Sequence, residues 1–195
     1  MRYVGIVLVM LGLSSPVWAG KFPLGVWGIW MSGEQYEGDI ENKADGDFDN
    51  VKGLGVNIIG GGIPKYDAEA KYHDLCSTNG IKLIGQGRPY VNPNDPYYKK
   101  WHYLSTLAGK AVDYHDSTRE DYWKDAVLAC IDSTLIYYYG STNPEDIDTV
   151  GFVAFYLIDY EPDNPPNASD YYDGWGYIVG KINEKTDGKV KSVMI

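Results

Sequence analysis

The stretch "TVGFVAFYLIDYEPDN" (149–164) decides the fold. From Val150 to Ile158 it is apolar at both parities, rich in β-branched and aromatic side chains, and short. A run of that length and kind reads as a strand covered on both faces, as in a parallel sheet. It ends in two acids, Asp159 and Glu161, and Pro162 then holds Glu161 out of helical backbone geometry. Side chains of a strand alternate with period two, so Val153, Phe155, Leu157, Asp159 and Glu161 share one face. That face is apolar until its last two positions.

Outward from this strand the chain alternates strand and helix. "PLGVWGIW" (23–30), "VNIIGG" (56–61), "IKLIGQG" (81–87) and "VKSVMI" (190–195) read as further strands. The spacing predicts helices over 47–55 and 67–80, the latter closed by the Asn79-Gly80 C-cap signal. Ser117 and Glu120 have the S-x-x-E spacing of a capping box. They open a helix on which Trp123, Val127, Cys130, Ile131, Thr134 and Tyr138 share a face. A last helix spans 169–188.

Strands alternating with helices give an α/β class with a parallel sheet. Two architectures compete, a doubly wound open sheet and a (β/α)8 TIM-like barrel. No G-x-G-x-x-G opens a helix, and Gly60-Gly61-Gly62 is followed by Pro64 and Lys65 rather than a Walker pattern, which disfavours nucleotide binding. The expectation is the barrel. Such a barrel takes about 250 residues, so the chain holds only its first four to five β/α units; a five-stranded open sheet is the alternative.

Residues 1–19 read as a cleavable signal peptide. Arg2 is the charged start, 3–13 the apolar region, and Val17 and Ala19 the small residues of a cut after Ala19. The expectation is a secreted or periplasmic protein with one partial barrel domain over 20–195 and no membrane attachment once the signal is cleaved. The formal charge is −10 before cleavage and more negative after it, which argues against nucleic acid and polyanions. The 18 Tyr and 6 Trp suit sugar faces as well as cores.

In parallel α/β proteins function collects at the carboxyl ends of strands. Those ends offer Trp30 after the first strand, Gln86, Arg88 and Tyr90 after the third, and Asp159, Tyr160 and Glu161 after the fourth. Asp159 and Glu161 would have Cα atoms about 6.6 Å apart. Two carboxylates that close and partly desolvated do not both ionise freely, and the one left protonated can donate to a glycosidic oxygen. The plain alternative is a pair of solvated loop acids.

The motifs "FPLGVWGIW", "VKGLGVNIIGGG", "CSTNGIKLIGQGRP" and "VGFVAFYLIDYEPDN" resemble the first half of secreted barrel glycoside hydrolases of clan A. The resemblance covers about 21–195. It implies that Glu161, at the end of strand four, is the proton donor and that the substrate is a poly- or oligosaccharide. The clan's donor follows Asn, where this chain has Tyr160, and its nucleophile lies on a seventh strand. A second resemblance, to chitinase-type barrels with D-x-x-D-x-D-x-E, matches Asp159 and Glu161 but has Ala154 and Leu157 at the first two acids. It implies Asp159 orienting a substrate acetamido group. Either way no cofactor or metal is implied, and the oligomeric state is open. A non-catalytic carbohydrate-binding or degenerate barrel protein is the other class.

The connection 88–116 is long and aromatic, with Tyr90, Tyr97, Tyr98, Trp101, Tyr103 and Tyr114. It reads either as sugar-stacking subsites or as a small helical insertion packed by its own rings. Cys76 and Cys130 could form a disulfide in an exported protein or remain buried thiols. His73, His102 and His115 lack ligand spacing, and Asp45, Asp47 and Asp49 lack the Gly and Glu of a calcium loop. Asn167-Ala168-Ser169 is a formal glycosylation sequon.

Overall fold

The computed structural model describes residues 25–27, 53, 55–60, 74, 76–100, 102–148, 151–158 and 168–194. The proposed signal peptide, the acidic run around Asp47 and His73 lie outside them.

The protein is α/β. Strand β1 spans Gly25–Trp27, β2 Ile58–Gly60, β3 Lys82–Gly85, β4 Phe152–Ile158 and β5 Lys191–Met194. β1, β2 and β3 run parallel in successive pairs, and β4 and β5 run parallel. The strand order in the sheet follows the chain order. Among the described residues the order shows no reversal of the kind that creates the switch point of a doubly wound sheet. All five strands fall within the runs expected from sequence.

The chain divides into two compact units. The first runs to Gly85 and takes in Val150–Phe152. In it the Leu83 N–H donates to the Gly151 carbonyl (2.8 Å), and Ile58, Ile59, Leu83 and Ile84 are buried. Cys76–Asn79 are helical, and the expected Asn-Gly stop is there. Gly80 takes φ +66°, the Ile81 N–H reaches back to the Cys76 carbonyl (2.9 Å), and the Gly80 N–H reaches Ser77 (3.4 Å). That pair of bonds is the Schellman pattern, and Cys76 and Ile81, the residues it joins, are both buried.

The second unit holds Gln86–Thr149 and Val153–Ile195. It contains helix α1 (Leu104–Ala108), a 3-10 helix (Ala111–His115), α2 (Glu120–Tyr139) and α3 (Ala168–Thr186). The α2 face expected from spacing is the buried one, with Trp123, Val127, Cys130, Ile131 and Thr134 joined by Ala126 and Leu135. Each large apolar side chain buried there stabilises the fold by about 1.5–3 kcal/mol. Tyr138 is only half-buried.

The capping box is a correction. No side chain caps α2, whose N-cap is Arg119. Asp116 sets the start instead: its carbonyl accepts the Arg119 and Glu120 N–H groups (both 2.8 Å). Its carboxylate takes the Thr118 N–H (2.9 Å) and hydroxyl (2.6 Å). Glu120 pairs forward with Lys124 rather than back with Ser117. The two cysteines are buried free thiols, so the disulfide reading gives way to its alternative.

Candidate functional site

The best-described strand exit is that of β3. Gly87 has φ +71°, a conformation few side chains tolerate, and a Cβ there would meet Thr134 Oγ1 at 2.5 Å and the Phe155 ring at 2.9 Å. Glycine therefore lets the chain turn directly against α2 and β4. Thr134 fixes the turn: its Oγ1 accepts the Arg88 N–H (2.8 Å) and its hydroxyl donates to the Cys130 carbonyl (2.6 Å). The Arg88 guanidinium then lies 4.2 Å from the centroid of the Tyr137 ring. Burial lowers the Arg88 pKa, while Tyr137, Tyr138 and Tyr103 act the other way; an arginine stays cationic regardless. Gln86, two residues before, is half-buried.

Tyr90 turns into the connection that follows. Its hydroxyl donates to Asp95 Oδ2 (3.0 Å) and accepts from Asn92 Nδ2 (3.1 Å). Its backbone forms an isolated antiparallel bridge with His102. Burial raises its pKa. Asp95, itself buried, also accepts the N–H groups of Tyr97 (2.8 Å) and Tyr98 (2.7 Å). The Tyr98 hydroxyl donates to Asp113 (2.5 Å), and Arg119 pairs with Asp113 and Asp116. Burial first, and then the Asp113 carboxylate, push the Tyr98 phenol up. Over 88–116 the chain forms a small helical insertion in which Tyr98 is buried and Tyr97 exposed.

Of the residues singled out in sequence, Gln86, Arg88 and Tyr90 are therefore placed. Arg88 lies on α2 and the Tyr90 hydroxyl is tied inside the loop. Trp30, Asp159, Tyr160 and Glu161 lie outside the described residues, β4 being described to Ile158.

The last helix falls where the sequence placed it, but sequence reasoning missed the aromatic cluster on its first turns. Tyr171 and Tyr172 flank Trp175, with ring centroids 5.9 and 5.4 Å from it. The Trp175 indole N–H donates to the Ala108 carbonyl (2.8 Å). Gly174 is buried against the 3-10 helix so closely that a Cβ would stand 2.4 Å from the Ala111 carbonyl oxygen. His115 and Asp173 pair at 3.0 Å across the same seam. The sequence signal was the run "SDYYDGWGY" (169–177), aromatic and acidic with no aliphatic side chain.

Among the described residues no group of three or more His, Cys, Asp or Glu side chains is arranged to hold a metal ion, and no helix is long and apolar enough to cross a membrane. No protein-family model, curated protein or solved structure matches the chain.

Proposed function

We propose that the protein is an exported glycoside hydrolase whose sheet is the beginning of a (β/α)8 barrel. Glu161 is the proton donor to the glycosidic oxygen, and Asp159 is the neighbouring carboxylate that keeps it protonated. Gln86, Trp30 and Tyr160 are the sugar contacts; Arg88 and Tyr90 join them when substrate draws them from Tyr137 and Asp95. One observation supports the reading above others. Parallel strands follow one another in chain order, and β4, apolar to Ile158, is followed directly by Asp159-Tyr160-Glu161. Parallel pairing sends the exits of β1, β2 and β3 to one edge, and likewise those of β4 and β5, and strand exits are where barrel enzymes keep their acids.

The test is hydrolysis. Glu161→Gln should lower release of reducing ends from a polysaccharide panel by roughly 10²–10⁴-fold, the usual worth of a general acid, with polysaccharide binding and thermal stability retained. Equal hydrolysis by parent and variant removes Glu161 from the role. Binding without hydrolysis by either favours the non-catalytic carbohydrate-binding class.

A further inference from the structure

We propose that Tyr171, Tyr172 and Trp175 form a stacking surface for a neutral oligosaccharide, outside the Asp159/Glu161 centre; the inference rests on the carbohydrate reading above. Placement comes first. α3 ends at Thr186 and β5 begins at Lys191, and β5 is parallel to β4. The short turn puts the carboxyl end of α3 beside the amino end of β5, so the first turns of the helix lie toward the carboxyl ends of β4 and β5. In the chain, Asp159 and Glu161 follow Ile158, the last residue of β4.

Presentation comes second. Tyr172 is 63% exposed, and its ring stands edge-on to Trp175 at 81°. Trp175 is not free to turn away, because its N–H is bonded to Ala108 and the helix is seated at Gly174 on Ala111. The Trp175 ring is thus oriented before a ligand arrives, which reduces the ordering cost of binding.

Chemistry decides the occupant. From Ser169 to Tyr177 the helix shows aromatic, acidic, serine and glycine residues, with no aliphatic side chain and no arginine or lysine. Protein interfaces concentrate aromatic, Met and Arg residues and are depleted in Asp. Here Asp170 and Asp173 alternate with the rings. Aromatic faces take the C–H faces of sugar rings, the Asp170 carboxylate can accept from their hydroxyls while Asp173 is held by His115, and the negative charge turns away uronates and sulfated chains.

The experiment is native affinity electrophoresis of the full chain in gels containing hydroxyethylcellulose, galactomannan, xylan or polygalacturonate. The parent should be retarded by at least one neutral polysaccharide and not by polygalacturonate. Tyr172→Ala should weaken that retardation about three- to tenfold, the effect of losing one aromatic contact. Its melting temperature should be unchanged, because the ring is exposed. No retardation of the parent, retardation by polygalacturonate alone, or equal retardation of Tyr172→Ala overturns the proposal. So does a sedimentation profile in which Tyr172→Ala dissociates a dimer, since the surface would then be a self-contact. Retardation that depends on Tyr172 in a protein that cleaves nothing leaves the surface standing and removes the hydrolase. Cleavage with retardation indifferent to Tyr172 does the reverse.

Discussion

Gly174 and Gly176 sit two residues apart on α3 and predict opposite outcomes. A methyl at Gly174 would meet the Ala111 carbonyl oxygen at 2.4 Å, a backbone atom that cannot swing aside, while one at Gly176 would meet nothing within 4 Å. Alanine is a better helix former than glycine by about 0.8–1.0 kcal/mol. At Gly174 the clash outweighs that gain, and Gly174→Ala should destabilise the protein by about 1–3 kcal/mol. At Gly176 only the gain operates, so Gly176→Ala should stabilise by up to about 1 kcal/mol. Thermal melts of the two variants beside the parent check both signs. Neither sign was legible in "DGWGY", because the difference lies in a 3-10 helix some sixty positions earlier. Arg88 teaches the same lesson. Its place after a strand was readable, but its direction depends on a left-handed Gly87 and on Thr134, a long-range partner.

At the scale of elements, the bridge between Tyr90 and His102 carries a pH dependence. Burial, and then the Lys110 ammonium, hold the His102 imidazole below the ordinary histidine range, with Asp95 opposing. Its Nδ1 is buried without a hydrogen-bond partner. A lowered native pKa means that the unfolded chain takes up a proton first as pH falls. The stability is therefore complete above about 6.5 and declines as pH drops from there through the native value. His102→Asn should flatten that part of a melting-temperature profile between pH 8 and 5; a parent-like slope in the variant assigns the loss elsewhere. The strands and helix faces were legible because apolar runs and helical periods are local. The Schellman stop at Gly80 was legible for the same reason, being written in two residues. The start of α2 was not. Ser117 and Glu120 have the capping spacing, but Asp116 takes the first amides with its own carbonyl, and Glu120 prefers Lys124.

For the whole molecule, both cysteines report on folding. Cys76 and Cys130 are fully buried, and burial pushes both thiols up to about 12. The thiolate is the reactive form, so at pH 8 the native protein should react with a thiol reagent only as fast as it opens. In guanidinium it should yield two thiols per chain with no reductant added. Fast labelling of the native state, or thiols that appear only after reduction, contradicts the structure. The α/β class was readable from alternation alone. The exact position of the acidic strand end was readable only as sequence, since the described part of β4 stops at Ile158.

The sequential strand order also bears on how the chain is made. Each strand has its sheet neighbour next in the chain, so the sheet can grow one strand at a time behind the ribosome without waiting for a distant partner. The exception is the step from β3 to β4, across residues 86–151, which takes on the order of several seconds to synthesise. During that interval the backbone edge of β3, whose Leu83 N–H later donates to the Gly151 carbonyl, has no strand to pair with. That pause is the stage at which a nascent chain of this protein most needs a chaperone.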